Sequence, residues 1–281
     1  MNIFSTKKDL TGCILSYKAK NKSIGFVPTM GALHQGHLSL ISTAKKKNDV
    51  VVVSIFVNPT QFDNVEDLKK YPKTLENDIK LLDTISCDIV FTPSVEEIYA
   101  ENIVSNKFNF DGLENQMEGK FRTGHFDGVA TIVKTLFEIV QPNRAYFGQK
   151  DFQQLQIIKK MVKKNRLPVK IKGCSIFREE DGLAMSSRNI RLSKKQREAA
   201  PFIYKTLKKV QRKIGAKNIT EINEWVENEF KKQPLLELEY FTIAEEKTLE
   251  TVEKIESDKK YRAFMAVFAG KIRLIDNIRL K

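Results

Sequence analysis

The sequence predicts an α/β protein in which a doubly wound parallel sheet is followed by a smaller α+β domain. Segments typical of strands and of helices alternate through the first 175 residues. Residues 50–57, VVVVSIFV, form a continuous apolar run of the kind found in strands that are covered on both faces. From about residue 176, two helical stretches precede three strand-like stretches, which is the order of an α+β unit.

The first part of the chain supplies strands and helices in alternation. Strands are predicted at 24–27, 50–57, 88–91, 145–147 and 169–171, and helices at 36–48, 75–85, 126–140 and 152–164, with Thr74 as a helix cap. Parallel neighbours need long crossover connections, which these helices provide. Residues 1–175 are therefore predicted to form a Rossmann-like ligand-binding domain.

The second part reads differently. One long helix is predicted at 193–214 and a second at 220–231, followed by strands at 238–243, 261–269 and 271–278. The step from Gly270 to Lys271 indicates a hairpin between the last two strands. Residues 176–281 are therefore predicted to form a C-terminal α+β lid domain.

Composition narrows the class of protein. Of 281 residues, 41% are hydrophobic and 30% are charged, which is typical of a soluble globular chain. No apolar run is long enough for a membrane span, and the N-terminus lacks the pattern of a signal peptide. Three widely spaced cysteines form neither a disulfide framework nor a metal cluster. A cytoplasmic location is expected, with no membrane partner.

The chain carries a formal net charge of +13, from 48 Lys and Arg against 35 Asp and Glu. The basic residues are spread over helical stretches, where a solvated face explains them better than a nucleic-acid surface does. Such a charge also favours an anionic substrate through its long-range field.

The segment richest in candidate ligand-binding residues is FVPTMGALHQGH, residues 26–37, which connects the first predicted strand to the first predicted helix. If Gly36 opens the helix, His34 and His37 lie on its first turn, where N–H groups and two imidazoles suit a triphosphate. Gly31 and Gly36 allow a ligand to approach the backbone. Surface or capping histidines are the alternative, but ligands bind at this edge of an open α/β sheet.

Residues 28–37, PTMGALHQGH, resemble the HxGH signature of the nucleotidyltransferase superfamily, and the whole string is similar to that of the pantoate–β-alanine ligase family. Four further segments resemble the same family in the same order: FVNPTQF at 56–62, GHFDGV at 124–129, FGQKDFQQ at 147–154 and GLAMSSRN at 182–189. The resemblance runs from about residue 24 to the C-terminus.

This resemblance implies a ligase that condenses (R)-pantoate with β-alanine, with ATP as substrate and Mg²⁺ as cofactor, through a pantoyl adenylate. His34 and His37 would stabilise the triphosphate, Lys150 would hold phosphate, and Arg188 would follow the leaving pyrophosphate. The residues expected to contact ATP are Met30, Gly31, Ala32, Leu33, His34, Gln35, Gly36, His37, Gly148, Gln149, Lys150, Asp151, Phe177, Met185, Ser186, Ser187 and Arg188.

The same resemblance places pantoate and β-alanine against Gln61, Gln154, Asn58 and Arg122. Amides at the end of a strand can bind hydroxyl and carboxylate groups without imposing charge. An Asn-Pro turn explains Asn58 equally well but leaves Gln61 unexplained. Asp151 could cap a helix, contact the ribose, or do both.

Two further residues have open assignments. The family often carries consecutive aspartates, associated with Mg²⁺, where this chain has Asn77 and Asp78. Asp78 is therefore the candidate magnesium residue, with most of the coordination left to ATP oxygens. His125 is expected to be structural rather than catalytic.

The resemblance also implies a homodimer formed through the N-terminal domain. Another adenylyltransferase, acting on a mononucleotide, is the alternative enzyme, although Gln61 and the 147–154 segment favour a small hydroxy acid. An RNA-binding protein or a remnant tRNA synthetase would use the positive charge, yet no RNA-reading signature is present, so no nucleic-acid partner is expected.

Overall fold

The computed structural model describes residues 1–62, 65–69, 71–100 and 102–280. The chain divides into two compact units. The first comprises Met1–Gln149 and Gln153–Ser175, and the second comprises Lys150–Phe152 and Ile176–Lys281.

The first unit is built on a six-stranded parallel sheet. Its strands are β1 (Asn2–Phe4), β2 (Ile24–Thr29), β3 (Val50–Ile55), β4 (Ile89–Phe91), β5 (Arg144–Gly148) and β6 (Lys170–Cys174). They lie in the order β1-β4-β3-β2-β5-β6, and every pairing is parallel. The β2–β3 register pairs Val27 with Val53, both fully buried, as an apolar strand in a covered sheet requires.

Helices connect these strands. They are α1 (Lys7–Ala19), α2 (Gln35–Lys45), α3 (Val65–Lys69), α4 (Leu75–Thr84), α5 (Val95–Tyr99), α6 (Met117–Phe121), α7 (His125–Val140) and α8 (Phe152–Lys164), with single 3₁₀ turns at Pro59–Gln61, Leu113–Asn115 and Gln149–Asp151. The strand order reverses at β2, which has β3 on one side and β5 on the other. The crevice at such a reversal is where open α/β sheets bind ligands.

The second unit contains an antiparallel sheet in the order β7-β8-β9. Its elements are α9 (Lys194–Ala199), α10 (Phe202–Lys213), α11 (Ile219–Lys231), β7 (Glu237–Glu245), β8 (Tyr261–Ala269) and β9 (Ile272–Arg279), with a 3₁₀ stretch at Ser187–Arg191. Residues from α10 and α11 and the strands form its core, in which Leu207, Val226 and Met265 are fully buried.

The predicted fold class is confirmed: a doubly wound parallel sheet with a smaller α+β unit. The prediction of one helix over 193–214 is wrong, because α9 ends at Ala199 and α10 begins at Phe202. Pro201 stands at the break, and proline has no N–H to continue the helical ladder.

The N-terminal β1 and α1 carry little sequence signal. β1 has three residues and is half exposed at Ile3, while α1 buries only Leu10 and Ile14.

Within the part of the chain that the structure describes, none of the helices combines the length and apolarity that a membrane span needs.

Candidate active site

The loop between β2 and α2 has a conformation that only certain residues can adopt without strain. Gly31 and Ala32 both have positive φ, +82° and +49°. A side chain on Gly31 would place its Cβ 3.0 Å from Asp78 Oδ2 and 3.1 Å from Ile55 Cγ2. Glycine therefore meets both the backbone and the space requirement at position 31.

Asp78, in the first turn of α4, holds this loop. Its Oδ2 accepts the Ala32 N–H at 3.0 Å, and its Oδ1 accepts the Leu33 N–H at 2.7 Å. Thr74, at the start of the same helix, donates its hydroxyl to Oδ1 at 3.2 Å. Charge-assisted bonds to two consecutive amides fix the loop just before the two histidines.

His34 and His37 lie together at the N-terminus of α2. The helix begins at Gln35, one residue before the predicted Gly36, so His34 is the extended N-cap residue and His37 is the third helical residue. The His34 N–H donates to His37 Nδ1 at 3.3 Å, and the ring centroids are 4.1 Å apart. Accepting at Nδ1 places the proton of a neutral His37 on Nε2. The positive end of the helix dipole adds to the suitability of this site for phosphate.

The residues present do not fit a magnesium ion held by the protein. Asp78 is 1% exposed, and both its oxygens accept backbone N–H groups. Among the described residues, no three His, Cys, Asp or Glu side chains are grouped so that they could share a metal ion. The expectation that Asp78 ligates Mg²⁺ stays a prediction, and its hydrogen bonds favour a positioning role instead.

The turn after β3 carries Asn58 and Gln61. Asn58 is 1% exposed, and its Nδ2 donates to the Gly128 carbonyl and to Gln61 Oε1, both at 3.2 Å. Its Oδ1 accepts from the hydroxyls of Thr60 and Tyr99. Because both ends of this amide have protein partners, Asn58 shapes the turn; a direct contact with substrate stays a prediction.

Gln61 reaches from this turn toward the loop after β2. Its Nε2 lies 2.9 Å from Met30 Sδ, so the turn after β3 and the loop after β2 meet at this side chain. Sulfur is a weak acceptor, which a ligand carboxylate or hydroxyl can replace. Gln61 is therefore the better placed of the two amides for binding a substrate.

Arg122 and His125 both contact the backbone carbonyl of Gln61. His125, which is buried at the start of α7, lies 2.7 Å through Nδ1 from the Gln61 carbonyl. Arg122 lies 3.3 Å from the same carbonyl and 3.2 Å from His125 Nε2. A guanidinium can only donate, so Nε2 accepts and the Nδ1 proton is donated to Gln61. His125 thus positions the Gln61 backbone, and Arg122 shares in that contact.

In the segment after β5, two adjacent glutamines have different surroundings. Gln153 is buried, with Oε1 accepting the Glu118 N–H and Nε2 donating to the Leu113 and Gln116 carbonyls. Gln154, the predicted pantoate residue, is only partly buried. The contacts of Gln153 explain why it cannot take that role.

In the second unit, a tight turn precedes residues 185–188, which are expected to contact ATP and form the predicted phosphate loop. The Met185 N–H donates to the Phe177 carbonyl at 3.0 Å, and the backbones of Arg178 and Ala184 form an isolated antiparallel β-bridge within that turn. Gly182 has a φ of +95°, and a Cβ there would lie 2.5 Å from Tyr204 Cδ1. Ser186 then accepts the Arg188 N–H at 3.3 Å.

Lys150 and Asp151 also belong to the second unit. Lys150 is partly buried and Asp151 is exposed. No sequence prediction singled out Thr74 as a partner of Asp78, or Asp276 and Asn277 on β9. Asp276 is 4% exposed in a strand of alternating apolar residues, and a charged residue at a buried strand position is the signal that could have found it.

Comparisons with known proteins show the family of the chain. A family model described as pantoate-beta-alanine ligase matches residues 2–279. A pantothenate synthetase of Christiangramia forsetii is 55% identical over 281 residues, covering 100% of this chain and 99% of the relative.

Solved structures give the same result. A pantothenate synthetase from Thermus thermophilus superposes with a TM-score of 0.93 at 40% identity, covering 100% of this chain and 99% of its own. A pantoate-beta-alanine ligase from Francisella tularensis was solved in complex with beta-gamma ATP and beta-alanine. It superposes with a TM-score of 0.83 at 38% identity, and the match covers 100% of this chain and 98% of the ligase.

Proposed function

Because the chain belongs to the pantoate-beta-alanine ligase family, we propose that it condenses pantoate with β-alanine through a pantoyl adenylate, releasing AMP and pyrophosphate. The ligase activity itself follows from the match over the full chain. The observation that carries the route is the fixed loop before α2. Two imidazoles lie at a helix N-terminus, directly after the two backbone amides that Asp78 binds, and they suit the charge of a triphosphate.

In the first step, a carboxylate oxygen of pantoate attacks the α-phosphorus of ATP, and the bond to the β-phosphate oxygen breaks. Pyrophosphate carries away the charge that develops. His34 and His37 donate to the phosphates, and Lys150, Ser187 and Arg188 bind the leaving group. Gln61 and Gln154 hold pantoate in line for attack, since positioning supplies much of the rate in such a reaction.

In the second step, the amine of β-alanine attacks the acyl carbon of the adenylate. The bond between that carbon and the AMP oxygen breaks, the amide forms, and the amine loses a proton. No protein nucleophile is needed in either step. Catalysis then depends on placing the reactants and stabilising charge.

Magnesium is expected to arrive on the phosphates of ATP, because Mg²⁺ keeps several waters and is commonly bound through nucleotide oxygens. No step of the proposal passes through a metal ligated by Asp78.

We also propose that the protein is a cytoplasmic homodimer formed through its first unit; the three free cysteines suit a reducing compartment. Equilibrium sedimentation checks the dimer, and a monomer at micromolar concentration would contradict it.

The experiment that tests the adenylate is exchange of labelled pyrophosphate into ATP without β-alanine. Exchange that requires pantoate shows a reversible first step. No exchange, with product still formed when β-alanine is added, would contradict the two-step route.

A further inference from the structure

The second unit contains a largely buried polar cluster formed by Arg262 on β8, Asp276 and Asn277 on β9, and Arg178 in the turn that ends at Met185. Arg178 binds Asp276 through both terminal nitrogens, at 2.6 and 2.9 Å. Arg262 donates to Asn277 Oδ1 at 2.6 Å. Asp276, Asn277 and Arg262 are 4%, 2% and 5% exposed, so these contacts are made away from water.

Asn277 connects this cluster to Lys150. Its Nδ2 donates to the Lys150 carbonyl at 2.8 Å. Two residues further along, the ring of Phe152 lies 4.1 Å from the guanidinium carbon of Arg262. The cluster thus contacts this segment at the Lys150 carbonyl and, two residues later, at the Phe152 ring.

Arg178 connects the same cluster to the predicted phosphate loop. Its guanidinium donates to the Gly182 carbonyl at 3.1 Å and stacks 3.7 Å above the Tyr204 ring. Gly182 lies at the tip of the turn that ends at Met185, and Ser186 to Arg188 follow it directly. Asp276 therefore holds the turn through Arg178, while Asn277 holds Lys150.

We propose that Asp276 and Asn277 are positioning residues for adenylation, because adjacent residues of one strand fix both Lys150 and the turn leading into residues 185–188. Neither residue needs to touch a substrate. The inference rests on the proposed adenylate route, in which Lys150 and Arg188 act on the phosphates.

The energetics suit this role. A bidentate pair has a defined geometry that a single ammonium contact lacks. Burial raises the pKa of Asp276, and the hydrogen bonds and charge of Arg178 act in the opposite direction. Removing one partner would leave the other buried and unpaired, so the pair tolerates little displacement.

The test uses Asn277→Asp, which keeps the shape and the contact with Arg262 but loses the donor to the Lys150 carbonyl. Asn277→Ala is the second variant. Glu239→Gln is the control, because it disrupts the Glu239–Arg273 ion pair of the same sheet without touching Lys150 or the turn. Pantoate-dependent pyrophosphate exchange and amide formation from supplied pantoyl adenylate are measured for each, together with the melting temperature.

We expect Asn277→Asp and Asn277→Ala to slow exchange by about 10²-fold, as small misplacements of a catalytic group do. Amide formation from the supplied adenylate and exchange by Glu239→Gln should stay near wild type. In a double-mutant cycle, adding Asn277→Asp to Lys150→Ala should cause no further loss, because Asn277 acts through Lys150.

The proposal would be overturned if the rate loss of the double variant equalled the product of the two single losses, or if both half-reactions were slowed equally. Asn277 would then be a residue that serves stability only. If the wild type itself shows no exchange, the adenylate route fails instead. The same cycle measured on the overall ligase rate would then still decide whether Asn277 acts through Lys150.

Discussion

Single residues in the site are distinguished by their hydrogen-bond partners rather than by their type. Asp78 and Asn58 are both 1% exposed and bound to protein groups, while the donor end of Gln61 contacts a weak acceptor, Met30 Sδ. From the sequence, Asp78 is the candidate magnesium residue, and Asn58 and Gln61 are both candidates for contact with the substrate. Burial and hydrogen bonding show that Asp78 and Asn58 shape the site, whereas Gln61 is suited to binding a ligand.

His37→Ala should reduce pantoate-dependent pyrophosphate release by ~10²–10³, the usual cost of losing one transition-state donor. His37 is the third residue of α2 and accepts the His34 N–H, so the change removes both a phosphate donor and the support of its neighbour. Release is measured with a coupled assay, and circular dichroism checks that the fold is kept. Near-normal release would show that this imidazole does not act on phosphate.

Asp78→Asn should also slow adenylation. The amide keeps one accepting oxygen, but its NH₂ group cannot accept, so the N–H of either Ala32 or Leu33 loses its partner. An unsatisfied buried group costs roughly 1–3 kcal/mol, so the melting temperature should fall as well. Glu76→Gln, an exposed acid of the same helix, is the matched control. Rescue of Asp78→Asn by excess Mg²⁺ or Mn²⁺ would mean that Asp78 is a metal residue after all.

Elements bring these residues together through close backbone contacts. The first turn of α7 lies against the Pro59–Gln61 turn, and a Cβ on Gly128 would be 2.2 Å from the Thr60 carbonyl oxygen. The helix pattern at 126–140 predicts α7 well, yet it cannot reveal this contact. Glycine inside a helix carries a cost of roughly 1 kcal/mol against alanine, which indicates packing but not the partner.

Gly128→Ala should therefore destabilise the protein and weaken pantoate binding, despite the better helix propensity of alanine. The methyl group would displace the Thr60 carbonyl and with it Gln61. Gly12→Ala in α1, where a Cβ meets nothing within 4 Å, should be neutral or stabilise by up to about 1 kcal/mol. Thermal melts and calorimetric titration with pantoate test this pair. Unchanged pantoate affinity in Gly128→Ala would disconnect α7 from the binding turn.

At the scale of the whole molecule, the alternation of strands and helices predicts the fold class, because each apolar period reports a local element. Pairing order is a different matter: the reversal at β2 is decided by contacts between distant segments. The same limit applies to the site. The HxGH segment is visible in the sequence, whereas the support of Asp78 for residues 32 and 33 spans more than forty positions.

The two units should contribute differently to the half-reactions. Arg188, in the second unit, is predicted to act on the leaving pyrophosphate, which is gone before the amine attacks. Arg188→Ala should then reduce adenylation by about 10²-fold or more while largely retaining amide formation from supplied pantoyl adenylate. Lys194→Ala removes a nearby exposed charge and should leave both steps intact. Equal damage to both steps would show that Arg188 organises the whole site.

The adenylate route is tested most directly by the fate of carboxylate oxygen. Pantoate labelled with ¹⁸O in both carboxylate positions is incubated with the enzyme, ATP and β-alanine, and the products are weighed by mass spectrometry. Attack on the α-phosphorus transfers one labelled oxygen to AMP and leaves the other in the amide. AMP carrying one ¹⁸O, formed with the amide, is the predicted result. Unlabelled AMP, or ADP with labelled phosphate, would contradict the account.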